Sequence, residues 1–334
     1  MDHHQLGRSG VRVSELCLGT MTFGREADED ASRAILDRFL DAGGNFVDTA
    51  DGYGAHPGLS EQIVGRALAQ RRDEVVLATK VRFPTGAGTN DRGLSRRHIQ
   101  LGAESSLRNL GTDCIDLYQV HSWDPHTPLE ETLGALDDLV HQGKVRYLGV
   151  SNLAAWQLAK ALGLSALHRW QPVVSVQPAY SLITRDIERE ILPLCISEGI
   201  AVLPYGPLAG GMLSGKYRPG EEPPADTRAG GDAMTSRGMS TRMNERGYAV
   251  VEAVRLAAEQ LGRSPAQVAL NWVGNRPGVT SPIIGARTVE QLTHNLGALG
   301  WRMDPEVEAA LDEASRIRLG YPHEFHSWMA EIGF

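Results

Sequence analysis

The sequence predicts an α/β protein of the (β/α)8 TIM-barrel class. Short β-branched apolar runs alternate with longer stretches of helical periodicity, the mark of parallel βα units rather than of a sandwich or a bundle. Eight such runs follow one another, at 15–19, 45–48, 74–80, 115–121, 145–150, 173–178, 200–204 and 280–284, and eight units close into a barrel more readily than they spread into an open sheet. A length of 334 residues suits one barrel, so residues 1–334 are read as a single domain.

Ahead of the barrel, Val11-Arg12-Val13 after Ser9-Gly10 reads as half of a small hairpin with His3–Leu6. The first helical stretch is capped near Asp28 or Asp30, carries Ala31, Ile35, Leu36, Phe39 and Leu40 on one face, and stops at Gly43-Gly44. Further helical patterns begin near Ser60, Ser95, Leu129, Ala154, Asp186, Glu245 and Val289. Residues 206–243, after the seventh strand, are rich in Gly, Pro, Ser, Thr and Arg and lack apolar periodicity, so a long mobile loop over the active-site face is expected. The tail from Arg302 carries one more amphipathic helix, about 304–315, and ends with Tyr321, Phe325, Trp328 and Phe334. It could cover the barrel floor or line a pocket.

Composition is that of a soluble globular protein, 42% hydrophobic and 22% charged, with a formal net charge of −8 and no block of Lys or Arg. A nucleic-acid surface is therefore not expected. The first ten residues have no signal-peptide core and no apolar run approaches a membrane span, which points to a cytoplasmic protein. Cys17, Cys114 and Cys195 are far apart and flanked by apolar residues, as buried free thiols are.

Ionisable and amide side chains stand where the buried strands end. Asp48 closes Asn45-Phe46-Val47-Asp48, Tyr53 follows in the next loop, Lys80 closes Val75–Lys80, and His121 closes Ile115–His121. Val150-Ser151-Asn152, Val176-Gln177, Pro204-Tyr205-Gly206 and Gly285-Ala286-Arg287 continue the series. Each has a plain structural explanation alone: a helix cap, a core hydrogen bond, a solvated first-turn residue. A polar ligand at the barrel mouth explains them together, because an ionisable group at a buried strand tip is costly unless it is paired or used.

Four of these groups carry a chemistry. A phenol is a weak acid at neutral pH, and an ammonium beside it favours the phenolate. Lys80 can supply that charge to Tyr53, Asp48 can hold the ammonium, and His121 can donate to a carbonyl oxygen. The set offers a proton donor and an oxyanion site without a nucleophile or a metal, which suits carbonyl reduction by a nicotinamide.

At these residues the chain resembles the aldo-keto reductases, NAD(P)H-dependent (β/α)8 barrels, in the branch that holds aryl-alcohol dehydrogenases and potassium-channel β subunits. The matching stretches are Phe46–Ala50 with Gly52-Tyr53-Gly54 and Ser60-Glu61, Ala78-Thr79-Lys80, Asp116-Leu117-Tyr118 leading to His121, Gly149–Asn152, Tyr205–Leu208 with Gly210 and Gly215-Lys216-Tyr217, and Ile284–Arg287 with Gln291 and Asn295. They run in order from about Leu6 to Ala298.

The resemblance implies a catalytic tetrad of Asp48, Tyr53, Lys80 and His121, with Tyr53 the general acid in reduction and the general base in oxidation. It implies that Ser151, Asn152 and Gln177 hold the nicotinamide carboxamide and that Tyr205 stacks on its ring. Gly206, Pro207, Leu208, Gly210, Gly215 and Lys216 would pass the pyrophosphate. Ile284, Gly285, Ala286, Arg287, Gln291 and Asn295 would meet the adenosine end, with Arg287 on a 2′-phosphate, so that NADP(H) is preferred and NAD(H) tolerated. Gly19, Thr20 and Met21 fall where such enzymes touch ribose and substrate. Phe23, Tyr53, His121 and Trp123 would line the substrate pocket, together with the 206–243 loop and Trp328; these aromatics suit an aromatic or hydrophobic aldehyde or ketone, although a sugar or a natural-product intermediate fits the pattern equally well.

Rival motifs are weaker. Gly210-x4-Gly215-Lys216 resembles a P-loop, but Tyr217 replaces the Ser or Thr that would hold Mg²⁺. No G-x-G-x-x-G turn follows a first strand, and neither His3-His4 nor His323-x-x-His326 has zinc-enzyme spacing, so no metal is expected. A barrel lyase without nicotinamide would leave the Arg287 region unexplained. The reading from another class is a cofactor-binding regulatory subunit of the channel-β type.

Overall fold

The computed structural model describes residues 1–224, 227, 229–230 and 239–333; of the residues anticipated above, Phe334 and parts of the 206–243 loop lie outside these. A short antiparallel hairpin comes first, β1 (His3–Gln5) with β2 (Arg12–Ser14). Eight parallel strands follow as one sheet: β3 (Cys17–Gly19), β4 (Phe46–Asp48), β5 (Val76–Val81), β6 (Ile115–Val120), β7 (Val145–Ser151), β8 (Val173–Gln177), β9 (Ala201–Val202) and β10 (Ile283–Ile284). Each pairs with the next in sequence, and β10 returns to β3. The bridges Val202↔Val279 and Tyr205↔Ile283 join the last two strands, so the sheet curls into the expected (β/α)8 barrel.

The last two strands are shorter than the apolar runs that announce them. Pro204 and Pro282 bound them, and a proline has no N–H to extend a ladder. Their carbonyls still accept, from Ile283 N at 2.7 Å and from Cys17 N at 2.9 Å, which holds the seam together.

Two apolar layers follow from strand alternation. Residues facing the axis, among them Phe46, Ala78, Leu117, Val174 and Leu203, pack with Leu6 and Val13 of the hairpin, which therefore closes the barrel floor. Residues facing outward, such as Val47, Leu77, Tyr118, Leu148 and Val176, pack under the helices.

Helix starts track the caps. Asp28 accepts from Ala31 N ahead of α1 (Glu29–Asp41), and Ser95 from His98 N ahead of α3 (Arg96–Leu110), with α2 (Leu59–Leu68) between them. The helices α4 (Leu129–His141) and α5 (Ala155–His168) start as anticipated. At Asp186 there is only a 3₁₀ turn, and α6 (Ile191–Glu198) begins later, with Pro193 inside its first turn where its missing N–H costs nothing. After α7 (Glu245–Leu261) comes a helix the periodicity did not announce, α8 (Pro265–Gly274). Its start signal is the capping box Ser264/Gln267 with proline at the first helical position. Then follow α9 (Val289–Leu296), α10 (Pro305–Ala314) and α11 (His323–Glu331).

The tail does not cover the floor. Arg189, after β8, donates to the Arg318 carbonyl at 2.9 Å, and His323 lies 3.6 Å from Glu190, so the tail meets the edge where the strands end. Trp328 stays exposed on α11. Of the cysteines, Cys17 and Cys195 are buried and Cys114 partly so, all free thiols. No helix among the described residues is long and apolar enough to cross a membrane.

Candidate active site

The strand ends anticipated from sequence converge on one edge of the barrel. Asp48 is the last residue of β4, Lys80 is next to last in β5, His121 follows β6, and Ser151 and Gln177 end β7 and β8. Asp48 and Lys80 are 2% and 0% exposed and form an ion pair, Nζ on Oδ1. The ammonium also donates to the Thr49 carbonyl at 2.8 Å and to the Tyr53 hydroxyl at 3.4 Å, which accounts for its three protons. Asp48 Oδ2 accepts from Gln119 Nε2 at 2.9 Å and from Gln177 Nε2 at 3.0 Å. A buried ion pair survives only when its remaining lone pairs and protons find partners, and here they do.

Tyr53 stands in a tight loop. Its N–H donates to Ala50 O at 3.1 Å, and its carbonyl accepts from Ser60 N at 3.2 Å. Gly54 and Gly58, at φ 104° and 83°, make that curl possible. The Ser60 hydroxyl donates to Thr20 O at 2.9 Å, and Glu61 accepts from Thr79 Oγ1 at 2.7 Å and Asn109 Nδ2 at 3.0 Å. Ser60 and Glu61 thus clamp the loop onto neighbouring strands. His121 meets the Tyr53 ring edge-on, with centroids 5.7 Å apart, and the Phe83 ring at 4.4 Å.

Electrostatics partly revise the expected chemistry. Burial raises the Tyr53 pKa; Lys80 lowers it as anticipated, but burial outweighs Lys80 and the phenol ends above its ordinary value. Burial lowers Lys80, and Asp48 and then Tyr53 more than compensate, so it remains an ammonium. Burial, then Lys80 and Arg82, push His121 down to about 2, which leaves a neutral imidazole with one N–H to donate. Its Nδ1 is buried with no partner among the described residues. The arrangement keeps a proton on Tyr53 at neutral pH, beside a fixed cation ready for the phenolate.

On the other side of the mouth, Ser151 Oγ donates to Gln177 O at 2.8 Å, and Asn152 Nδ2 donates to His121 O at 3.0 Å. Tyr205 donates to Asn152 Oδ1 at 2.9 Å. Asn152 holds a left-handed φ of 55°, a conformation asparagine tolerates better than most residues. The 206–217 segment curls through Gly206, Gly210, Gly211 and Gly215 at φ 66°, 73°, 95° and 79°. Pro207 and Leu208 lie within that curl, whose amides a pyrophosphate could use, and a Cβ at position 211 would come 2.8 Å from Lys216 Cε.

Beside it, Gly19 admits Ile283, whose Cγ2 would lie 2.6 Å from a Cβ there. Thr20 is buried, Met21 is partly exposed, and Thr22 donates to Ala286 O at 2.8 Å beside Ile284 and Gly285. Gln291 Oε1 accepts from Arg287 N at 2.9 Å, and Arg287 is partly exposed ahead of α9, which carries Asn295. These residues follow β3, β9 and β10, which are neighbours around the barrel.

Of the pocket aromatics, Trp123 is partly buried and meets exposed Trp156 at 5.8 Å, whereas Phe23 has no exposed surface and packs in the core. Sequence reasoning passed over Gln119, Thr49, Arg82, Phe83 and Asp51. Gln119 had a signal: an amide inside an apolar strand, on the same face as Leu117. Asp51 is 4% exposed, and burial with nearby Glu61 pushes it up to about 8 against the weaker pull of the Gly52 and Arg82 backbone N–H groups and of Lys80.

A sequence model of the aldo/keto reductase family matches residues 15–316. An uncharacterized oxidoreductase of Bacillus subtilis, YrpG, is 40% identical over 98% of this chain and 100% of its own length. Norsolorinic acid reductase of Aspergillus flavus is 36% identical, covering 95% of this chain and 81% of its own. A probable voltage-gated potassium channel subunit beta of Oryza sativa is 38% identical, over 90% and 91%.

Proposed function

Because the chain belongs to the aldo/keto reductase family, we propose that it reduces an aldehyde or ketone to the alcohol with NADPH, reversibly, using Tyr53, Lys80, Asp48 and His121. The observation that carries this reading is the chain of contacts from Asp48 through the Lys80 ammonium to the Tyr53 hydroxyl, 3.4 Å from Nζ, at the end of a buried ion pair. A bound nicotinamide supplies the hydride.

The protein's own groups do the rest. His121 donates an N–H to the carbonyl oxygen and, being neutral, does not compete for the proton. Tyr53 shares that oxygen and gives up its proton as negative charge develops there. Lys80 then faces a phenolate, and its charge, weak against burial beforehand, becomes a full Coulombic attraction in a water-poor site. Asp48, fixed by Gln119 and Gln177, keeps Lys80 from following the phenolate or leaving it. In this reading Ser151, Asn152 and Gln177 hold the carboxamide, Tyr205 covers the ring, the 206–217 curl passes the pyrophosphate, and Arg287 meets the 2′-phosphate, as the family resemblance of these residues implies.

The test is direct: purified protein with NADPH and a panel of aromatic aldehydes, α-dicarbonyls and keto-sugars, followed by loss of nicotinamide absorbance. Turnover is expected on at least one class. The channel-subunit relatives favour a second reading, a cofactor-binding regulatory subunit. NADPH binding without turnover across the whole panel would select it.

A further inference from the structure

We propose that Arg82 is a binding residue for an anionic group on the substrate, so that the preferred carbonyl compound bears a carboxylate on the side of the pocket away from the cofactor strip. This rests on the carbonyl-reduction reading and names the substrate class for that site.

Arg82 follows the last residue of β5, two places after Lys80. Its φ of 147° lies in a region that a side-chain-bearing residue enters only at a cost, and such strain concentrates where a ligand needs a side chain aimed. The aim is fixed from two sides. Nε donates to the Trp123 carbonyl at 3.2 Å, and the guanidinium carbon lies 5.5 Å from the centre of the Phe83 ring, the ring that meets His121.

One of five N–H donors is thereby used. Both terminal nitrogens lack a hydrogen-bond or ion-pair partner among the described residues, whereas Arg72, Arg146 and Arg185 each pair with a carboxylate. The nearby carboxylate of Asp124 is already taken by Leu94 N, His126 N and the Thr127 hydroxyl. A guanidinium fork held at its root and open at its tip matches a carboxylate, which accepts two parallel N–H bonds.

Topology says which anion. In the strand order β10-β3-β4-β5-β6-β7-β8-β9, Arg82 follows β5, whereas the glycine curl and Arg287 follow β9 and β10. In a closed barrel β5 and β9 are diametrically placed, so the cofactor's phosphates and Arg82 occupy opposite sides of the mouth. The reacting carbonyl lies between them, at His121 and Tyr53. An anion on Arg82 is therefore part of the substrate. Phe83, Trp123 and Trp156 flank that side with apolar surface, which suits an aromatic or short aliphatic spacer between carbonyl and carboxylate.

The test compares 4-carboxybenzaldehyde with its uncharged methyl ester in wild type, Arg82→Met and Arg82→Lys. Wild type is expected to favour the acid in kcat/KM by about tenfold or more, mainly through KM, the scale of one bidentate charge-assisted contact. Arg82→Met should erase that preference, lowering kcat/KM for the acid by about tenfold more than for the ester, and Arg82→Lys should restore part of it. Equal handling of acid and ester by wild type, or an equal loss on both in Arg82→Met, would mean that Arg82 merely straps the Trp123 backbone. Binding of both compounds, read by quenching of tryptophan fluorescence, reports the same preference without turnover. If neither compound is reduced, tighter binding of the acid that disappears in Arg82→Met still upholds the anion site and equal binding refutes it.

Discussion

The Lys80 ammonium stands 3.4 Å from the Tyr53 hydroxyl, yet burial holds that phenol above its ordinary pKa. The two facts divide the labour in time. Before reaction the site stores a proton on Tyr53; once negative charge develops on the carbonyl oxygen, Lys80 makes its departure affordable. The same cation would do less in water, where its field is screened.

Behind this pair lies a second buried carboxyl system. Asp51 is pushed up to about 8, by burial first and then by Glu61. An acid whose folded pKa exceeds its unfolded value binds more protons folded than unfolded between those two values. Stability is therefore fully present below the unfolded pKa, about 4, and falls as pH rises towards 8. In Asp51→Asn the decline in unfolding free energy from pH 4 to pH 8 should flatten by an amount on the order of a few kcal/mol. Urea titrations at a series of pH values measure it, and parallel curves for the two proteins would remove Asp51 from the account.

The cofactor strip makes a second expectation. Arg287→Ala should weaken NADPH binding about tenfold or more while NADH affinity stays close to wild type, since NADH carries no 2′-phosphate for the guanidinium to meet. Fluorescence titration with both nucleotides reads this out. Equal weakening of the two would place Arg287 on a shared part of the dinucleotide, and no weakening would remove it from the site.

The join between the tail and the barrel makes a third. Asp312 of α10 accepts from Arg276 Nη1 at 2.9 Å, from Arg185 Nη1 at 3.1 Å and from Trp272 Nε1 at 3.2 Å. The two guanidiniums also lie 4.8 and 5.0 Å from the Trp272 ring. Asp312→Ala takes one partner from each guanidinium while Glu188 and Glu308 remain, and should cost about 1–2 kcal/mol, less than breaking a fully buried pair because the Asp312 side chain is 33% exposed. Calorimetry or urea unfolding tests it; a change below about 0.5 kcal/mol, typical of surface substitutions, would contradict it.

What the sequence made legible follows from what is local. Strand runs, the Asp28 and Ser95 caps and the polar strand ends are carried by neighbours in the chain, and they place Asp48, Lys80 and His121 on one edge without reference to coordinates. The motif around Tyr53 was legible too, while its clamp by Ser60 and Glu61 was not, because Thr20, Thr79 and Asn109 come from distant segments. Net effects of opposing forces were also hidden: proximity of Lys80 to Tyr53 predicts the direction of one influence, and only burial decides which wins. The early end of β9 and the helix at Pro265–Gly274 were written in Pro204 and in the Ser264/Gln267 box, signals a periodicity reading passes over. Arg82 was invisible because nothing in a lone arginine beside a phenylalanine reports a φ of 147° or an unpaired fork.

Tyr53→Phe tests the central claim most directly, since it removes one hydroxyl from a buried ring and leaves the Asp48–Lys80 pair in place. With NADPH affinity unchanged by fluorescence titration, kcat for carbonyl reduction should fall by at least about a hundredfold, the scale of general acid catalysis. Turnover within a few-fold of wild type would show that the proton comes from elsewhere.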